Sequence, residues 1–326
     1  MSRLPLLPAN TFLIGAPKSG TTALASWLAA HPQVCFSSRK EPGYFARDFP
    51  PHADIQAHFD PDRYRALFAP EPQHRVIAEG STNYLLSADA VPAILALNPN
   101  ARFIVSLRNP LELAPALHMQ QRYMLNEDQA DFADAWRLQV PRARGEQIPA
   151  GCRQPRFLQY AAFARTGEQI ERLLTLVPRS SVHIIRFDAL RADPGAVYRQ
   201  TLTFLGLDDD GRNDFPVVNG AHRRRYPDLA RLLLNPPAPL RAPLWRLRKT
   251  LRSARLPLVE ALRERQRQDM VREPLSPALR AELARHFADD IRLLERLLGW
   301  DLSDWLQAEP TRSSTSPRLI DQRIGA

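Results

Sequence analysis

Residues 11–22, Thr-Phe-Leu-Ile-Gly-Ala-Pro-Lys-Ser-Gly-Thr-Thr, decide the fold class of this chain. The apolar run at 12–14 ends at Gly15, which is typical of a strand buried in a parallel sheet. The bulky apolar side chains of residues 23–30 then recur on one stripe, which predicts a helix. The tight loop between them therefore lies at a helix N-terminus, where backbone N–H groups and the helix dipole attract an anion.

The two glycines of this loop have the spacing of a nucleoside-triphosphate P-loop, but the lysine does not. In that motif the lysine directly follows the second glycine. Here Thr21 follows Gly20, and the lysine is Lys18, which precedes that glycine. The loop is therefore either a phosphate site of another kind or an ordinary strand–turn–helix junction that carries a chance lysine.

The composition is that of a folded globular protein. Of the 326 residues, 44% are hydrophobic, and no apolar run approaches the ~20 residues of a membrane span. The N-terminus lacks the pattern of a signal peptide, and Cys35 and Cys152 form no metal or disulfide framework. We therefore expect a cytoplasmic protein without a transmembrane segment.

The net charge of +9 comes almost wholly from arginine, since the only lysines are Lys18, Lys40 and Lys249. In a chain that otherwise uses arginine, a lysine indicates a need for a compact ammonium group rather than a planar fork. The positive charge favours an anionic ligand and is equally compatible with nucleic acid or an acidic membrane surface.

Short apolar runs alternate with helical segments, which predicts βαβ units with right-handed crossovers. The expected fold class is α/β, a P-loop-like three-layer fold with a central, mainly parallel sheet flanked by helices, plus a helical C-terminal extension. The predicted strands are 12–14, 34–36, 76–78, 102–107 and 182–187, and the predicted helices are 23–30, 63–68, 89–97, 111–124, 160–176 and 196–205.

We expect a single domain over residues 1–307, in which 222–307 form the helical C-terminal part, followed by a disordered tail at 308–326. Residues 46–75 have the composition of a long irregular connection. The polar segment 126–156 is predicted to be a lid or an insertion on the substrate side.

Two stretches near the N-terminus resemble motifs of the sulfotransferases that use 3′-phosphoadenosine 5′-phosphosulfate (PAPS). Residues 17–22 are similar to the 5′-phosphosulfate loop, which implies donor contacts from Lys18, Ser19, Gly20, Thr21 and Thr22. Residues 40–45, Lys-Glu-Pro-Gly-Tyr-Phe, are similar to a segment of the branch that includes the heparan sulfate sulfotransferases. Its glutamate is the general base, which implies that role for Glu41, with Lys40 beside it as a group that keeps it ionised. A solvated ion pair on a surface turn is the alternative for these two residues.

A third stretch resembles the motif that holds the 3′-phosphate of the donor. The strand at 102–107 ends in Arg-Asn-Pro, and the matching arginine of the family binds that phosphate, which implies the same for Arg108. The family pattern then has a phosphate-binding serine eight residues after the arginine. Ala116 stands in its place, so half of the expected clamp is missing.

A fourth stretch, residues 222–227, resembles a basic loop that closes over the donor phosphates in this family. Arg224 is the better match to a phosphate contact and His222 the weaker one, while a solvated basic turn fits the same residues equally well. Residues 79–84 resemble a family stretch on the substrate side and are expected to form a wall of the acceptor site.

The four motifs together resemble a PAPS-dependent sulfotransferase, a bacterial member nearest the heparan sulfate sulfotransferase branch. The resemblance implies transfer of a sulfuryl group from PAPS to an acceptor hydroxyl or amine by in-line displacement. The acceptor is expected to be a small molecule or a glycan; no nucleic acid partner is expected, and a homo-oligomer is allowed. We expect no metal, because a sulfuryl group carries less charge than a phosphoryl group and no Walker-type aspartate is evident.

Two other functions fit parts of the sequence. A divergent P-loop nucleotide kinase would share the strand–loop–helix unit but would need Mg²⁺ and a lysine beside Gly20. A non-catalytic module could dock residues 236–265, where leucines interleave with arginines, on an anionic membrane or a partner. The same pattern also fits a helix that packs its apolar stripe on the core.

Overall fold

Five parallel strands form the central sheet of the protein. The computed structural model describes residues 8–49, 58–152, 154–216, 222–224, 267–269 and 274–307. The strand order is β2-β3-β1-β4-β5. The strands are β1 (Thr11–Gly15), β2 (Val34–Phe36), β3 (Val76–Gly80), β4 (Arg102–Leu107) and β5 (Val182–Arg186). The predicted parallel α/β fold is therefore confirmed.

Strand β1 occupies the centre of the sheet and pairs with β3 on one side and with β4 on the other. Phe12 lies in register with Glu79 of β3 and with Phe103 of β4. The chain leaves β1 for β2 and β3 on one side and only then crosses to β4 on the other. The carboxyl end of β1 is therefore a topological switch point, where open α/β sheets bind their ligands.

Helices cover both faces of the sheet, as predicted. They are α1 (Thr21–Ala29), α2 (Pro61–Arg65), α3 (Ala90–Leu97), α4 (Pro110–Tyr123), α5 (Phe132–Arg137), α6 (Gln139–Ala143), α7 (Tyr160–Ala164), α8 (Thr166–Leu176), α9 (Phe187–Ala192), α10 (Pro194–Leu205) and α11 (Pro277–Leu298). Short 3₁₀ turns lie at Pro155–Leu158, Arg179–Ser181 and Ser303–Leu306.

The side chains of β1 alternate between two hydrophobic cores, one on each face of the sheet. Phe12 and Ile14 join the larger core, which also contains buried side chains of α11 and Trp305. Leu13 joins the smaller core with Trp27 of α1. Because both faces are covered, the strand is apolar throughout, as expected for a parallel sheet.

The prediction of one continuous helix over residues 160–176 was wrong, because the helix breaks at Arg165 into α7 and α8. The carboxylate of Asp290 in α11 accepts hydrogen bonds of 2.9 Å from the N–H groups of Gly167 and Glu168. A Cβ at Gly167 would lie 2.4 Å from the carbonyl oxygen of Asp290. The close approach of α11 therefore caps a new helix at this point.

The polar segment predicted at 126–156 contains α5 and α6 and is held by a buried ion pair. The guanidinium of Arg142 donates two hydrogen bonds, of 2.6 and 2.8 Å, to the Glu127 carboxylate. Tyr160 donates a further hydrogen bond to the same carboxylate. Burial alone would raise the pKa of Glu127, but these hydrogen bonds outweigh it and lower the pKa below its ordinary value.

The C-terminal part packs on the same core as the sheet, and it contains more than helix. Helix α11 packs against α8 and α4, and Trp305 is buried beyond it. The stretch predicted as helical and loop-like includes two strands, β6 (His222–Arg224) and β7 (Arg267–Asp269), which pair antiparallel. The expected tail at 308–326 and the 236–265 stretch lie outside the described residues. The single-domain boundary at 307 stays a prediction.

Candidate functional site

The loop after β1 is shaped for close contact with an anion. Gly20 caps α1 with a left-handed φ of 76°, and a Cβ there would lie 2.7 Å from Leu190 Cδ2. Glycine is therefore required both for its conformation and for its size. Helix α1 has no capping side chain and no acidic residue in its first turn. The helix itself therefore supplies no negative side chain to neutralise the positive end of its dipole, which faces the loop.

Of the other loop residues predicted to bind the donor, the structure places Ser19 and Thr21 as buried hydroxyls and Lys18 and Thr22 as partly buried. Lys18 has a left-handed φ of 62°. Its carbonyl oxygen accepts a hydrogen bond of 2.9 Å from Nη1 of Arg108. The first and third predicted motifs are therefore in direct contact.

Arg108 is a largely buried bridge between three elements. Its Nε and Nη2 donate to Glu112 Oε2 of α4 at 3.1 and 2.6 Å, while Nη1 holds the loop. The guanidinium lies 4.8 Å from the ring centre of Phe187, the first residue of α9. Sequence reasoning missed Phe187. The available signal was its place directly after β5, at the carboxyl edge of the sheet.

Ala116 lies two turns beyond Arg108 in α4, on the face that also carries Glu112. Only 1% of Ala116 is exposed. Cα atoms of β6, the strand that contains His222 and Arg224, come within 8 Å of those of α4. The backbone of the fourth motif is thus beside the helix of the third.

Glu41 is held at the carboxyl end of β3. Its Oε1 lies 2.6 Å from Lys40 Nζ, and its Oε2 accepts a hydrogen bond of 2.7 Å from the N–H of Thr82. The Glu41 N–H donates to the carbonyl oxygen of Gly80 at 2.7 Å. The side chain is 45% exposed, so its carboxylate is both fixed and accessible. The backbone φ of 62° is uncommon for a residue other than glycine and indicates a tightly determined loop.

Residues 81–85 connect this loop to β1. The N–H of Ser81 donates to the carbonyl of Leu13 at 3.0 Å, and the N–H of Leu85 donates to that of Ile14 at 2.9 Å. Since Thr82 lies between these two bonds, Glu41 and the anion loop are attached to the end of the same strand. The first three predicted motifs therefore meet at one edge of the sheet.

A second glutamate, Glu79, lies fully buried beneath the Glu41 loop. Its carboxylate accepts hydrogen bonds from the hydroxyls of Tyr64 at 3.0 Å, Tyr84 at 3.0 Å and Ser81 at 2.9 Å. Burial raises the pKa of Glu79 to about 7, with a further contribution from the charge of Glu41, and the hydroxyl bonds offset part of the shift. The expectation that 79–84 forms a substrate-side wall is wrong for Glu79, whose side chain is not exposed.

Two histidines near these motifs, His118 and His58, lie within hydrogen-bond distance of backbone carbonyl oxygens. His118 is buried and its Nε2 lies 3.1 Å from the carbonyl oxygen of Gln129. His58 Nε2 lies 3.3 Å from the Gly43 carbonyl oxygen. Among the described residues, no cluster of three or more His, Cys, Asp or Glu side chains could hold a metal ion. No helix in the same ranges is long and apolar enough to cross a membrane.

Comparison with known proteins identifies the family. A family model described as the sulfotransferase domain matches residues 8–214. The chain belongs to the sulfotransferase family. This range contains the anion loop, Glu41 and Arg108. The family resemblance predicted from the motifs is therefore confirmed.

The matched relatives are much longer than this sulfotransferase chain. Bifunctional heparan sulfate N-deacetylase/N-sulfotransferase 3 of Homo sapiens is 30% identical over 205 residues, which are 60% of this chain and 22% of the human protein. Membrane-associated sulfotransferase kil1 of Dictyostelium discoideum is 33% identical over 111 residues, 34% of this chain and 22% of that protein. The chain thus matches about a fifth of the length of each.

A solved structure supports the fold. The crystal structure of a sulfotransferase from Alicyclobacillus acidocaldarius superposes with a TM-score of 0.66, covering 93% of this chain and 100% of that one at 24% identity. The similarity confirms the architecture of the sulfotransferase fold, including the C-terminal helix.

Glu79 gives the first prediction, a pH-dependent difference in stability. Between the ordinary pKa of 4.5 and the raised value of about 7, the folded protein keeps a proton that the unfolded chain has released. Stability therefore falls as pH rises through this window, and Glu79→Gln removes the fall. The free energy of unfolding of the variant minus that of the wild type should increase by about 1–3 kcal/mol between about pH 5 and about pH 8.

Urea unfolding of both proteins at the two pH values measures this difference. The buried histidines contribute equally to both proteins and cancel. If the free energies of unfolding of the variant and the wild type differ by the same amount at both pH values, Glu79 does not titrate in this range.

Proposed function

We propose that this sulfotransferase moves a sulfuryl group from PAPS to a hydroxyl or amine of an acceptor by in-line displacement, with Glu41 as the general base. The observation that carries the proposal is the attachment of Glu41 and the anion loop to the end of one strand, through Thr82 and residues 81–85. A base and a leaving-group site are thereby fixed on one rigid element, which is what an in-line reaction needs.

The anion loop would receive the 5′-phosphosulfate of PAPS. Backbone N–H groups at the α1 N-terminus and the hydroxyls of Ser19, Thr21 and Thr22 supply donors of the kind that bind phosphate. The bond between sulfur and the phosphate oxygen breaks in the reaction, and negative charge builds up on that oxygen. The role of Lys18 is to stabilise this charge as it develops.

Glu41 would take the proton that the acceptor must lose. As the acceptor oxygen or nitrogen bonds to sulfur, its proton passes to the Glu41 carboxylate, and adenosine 3′,5′-bisphosphate leaves. The Thr82 N–H and the Lys40 ammonium orient this carboxylate. Lys40 also brings positive charge to the side of the sulfuryl oxygens.

Arg108 would bind the 3′-phosphate. A guanidinium has five N–H donors, and within the described part of the chain the bonds to Glu112 and to the Lys18 carbonyl use three of them. The remaining two N–H groups suit a phosphate oxygen. The β6 backbone beside α4 supports a contribution from His222 and Arg224, in the place of the hydroxyl that Ala116 lacks.

The acceptor class follows the family and is a small molecule or a glycan. Cys35 and Cys152 are free thiols, which is compatible with a protein that acts in the reducing cytoplasm. A nucleotide kinase would need a lysine beside Gly20, where this chain has Thr21. No observation in the described site favours that alternative. The proposed docking module at 236–265 lies outside the described residues.

Glu41→Gln is predicted to lower kcat by at least about 10²-fold, because the amide cannot accept the acceptor proton. The affinity for adenosine 3′,5′-bisphosphate should stay near that of the wild type, since Glu41 does not bind the nucleotide. Transfer of ³⁵S from labelled PAPS measures kcat, on the best acceptor from a panel of phenols, sugars and amino sugars.

The matched control is Glu171→Gln, since Glu171 is an exposed glutamate of α8 that lies outside the predicted motifs and outside the 126–156 segment. A Glu41→Gln variant that turns over like this control, or that loses nucleotide binding, would exclude Glu41 as the base.

Arg108→Ala is predicted to weaken adenosine 3′,5′-bisphosphate binding by more than about tenfold, because charge-assisted hydrogen bonds to the phosphate are lost. Ala116→Ser should tighten it by up to about tenfold by restoring a donor two turns from Arg108. Calorimetric titration of each variant gives the dissociation constants.

Arg137→Ala serves as the control, because Arg137 is an exposed helical arginine paired with Asp134. If both Arg108→Ala and Ala116→Ser bind like the wild type, the third motif is not the 3′-phosphate site.

A further inference from the structure

We infer that Glu79 is a positioning residue for the transfer reaction: through the hydroxyls of Ser81 and Tyr84 it fixes the backbone of the loop that carries Glu41. The inference rests on the proposed role of Glu41 as the base. Glu79 lies behind that loop, is fully buried, and has no access to an acceptor.

The hydrogen bonds at Glu79 have a fixed direction. Above its pKa of about 7, the Glu79 carboxylate accepts hydrogen bonds and donates none, so all three hydroxyls around it must point their protons inward. Burial and the charge of Glu79 raise the pKa of Tyr64 and Tyr84 well above the usual value for tyrosine, so both phenols stay protonated donors. Each hydroxyl is thereby left with lone pairs facing away from Glu79.

The lone pairs of Ser81 and Tyr84 accept hydrogen bonds from the Glu41 loop. Ser81 Oγ accepts a hydrogen bond of 2.9 Å from the N–H of Gly43, and Tyr84 Oη accepts one of 3.2 Å from the N–H of Phe45. Gly43 and Phe45 follow Glu41 in the same loop. Glu79 therefore orients two hydroxyls, and each of them fixes one loop amide, in a buried network whose members reinforce one another.

Packing keeps this loop in the same place. The rings of Tyr44 and Tyr64 stack at 4.4 Å, and the ring of Phe45 meets those of Tyr64 and Tyr84 edge-on at 5.4 and 5.9 Å. At its other end the loop is tied by the bond from the Glu41 N–H to Gly80. The direction of the Glu41 carboxylate thus depends on a backbone that is held from beneath.

The two tyrosines supply a matched pair of variants. Both hydroxyls donate to Glu79 Oε1 at 3.0 Å, and both rings are buried, but only the Tyr84 hydroxyl accepts from a loop amide. Tyr84→Phe and Tyr64→Phe each remove one hydroxyl and keep the ring. A purely structural role of the network would make the two variants equivalent.

The test measures hydrogen exchange at the Phe45 amide together with kcat and KM, with ³⁵S-labelled PAPS and the acceptor panel described above. Tyr84→Phe should speed exchange at Phe45 by about tenfold or more and lower kcat about tenfold, with little change in KM for PAPS. Tyr64→Phe should change exchange and kcat by no more than about threefold. Equal effects of the two variants on exchange and on kcat would overturn the inference.

Two further variants complete the design. Ser81→Ala should speed exchange at the Gly43 amide in the same way, which covers the case in which Tyr84→Phe does not fold. In a Glu41→Gln background, Tyr84→Phe should lower kcat no further, because a positioning residue acts only through the base. An additional tenfold loss in the double variant would contradict the inference.

The outcomes separate this inference from the proposed function. If Glu41→Gln turns over normally, the proposed base is wrong, whatever the tyrosine variants do. If Glu41→Gln is inactive while the two tyrosine variants are equivalent, the base stands and the positioning role of Glu79 is wrong.

Discussion

The site depends on the central position of β1 in the parallel sheet. Hydrogen bonds to β3 and β4 on its two sides, and a hydrophobic core on each of its faces, leave this strand no freedom to shift. The anion loop starts where the strand ends, and residues 81–85 bond back to the same end. The Glu41 loop then bonds to Gly80 and Thr82. The anion loop and the Glu41 loop are therefore both held in place by their attachment to the carboxyl end of β1.

Arg108 adds a second constraint across the site. A single guanidinium holds the Lys18 carbonyl, pairs with Glu112 and lies over Phe187. Elements that follow three different strands, β1, β4 and β5, are thus joined by one side chain. In the proposed mechanism the same side chain also meets the donor, so nucleotide binding and loop geometry are coupled.

Glu127 and Glu79 are two of the buried carboxylates among the described residues, and they are satisfied in different ways. Glu127 is neutralised by the Arg142 guanidinium, which lowers its pKa and makes it a permanent structural anion. Glu79 is surrounded by hydroxyls only, and its pKa is raised. A carboxylate held by hydroxyls costs stability at neutral pH. Its position under the Glu41 loop gives a functional reason for that cost.

Much of the fold could be predicted from the sequence. Short apolar runs ending in glycine or arginine marked the strands, and the displaced lysine at position 18 separated the loop from an ordinary P-loop. The residues of the first three motifs could be found because they follow strands at one sheet edge. Long-range contacts could not be predicted: Asp290 caps α8 from a helix far along the chain, and Phe187 meets Arg108 only once β4 and β5 pair. Glu79 was misassigned because its burial depends on Tyr64, which a local pattern cannot reveal.

The central claim is that the loop after β1 and Arg108 together recognise a 3′,5′-bisphosphorylated adenosine. Calorimetric titration of the wild-type protein with adenosine 3′,5′-bisphosphate in EDTA, beside a titration with ATP and Mg²⁺, tests it most directly. The account predicts binding of one bisphosphate per chain without a metal, and much weaker binding of ATP. Tight binding of ATP with Mg²⁺ and none of the bisphosphate would contradict it.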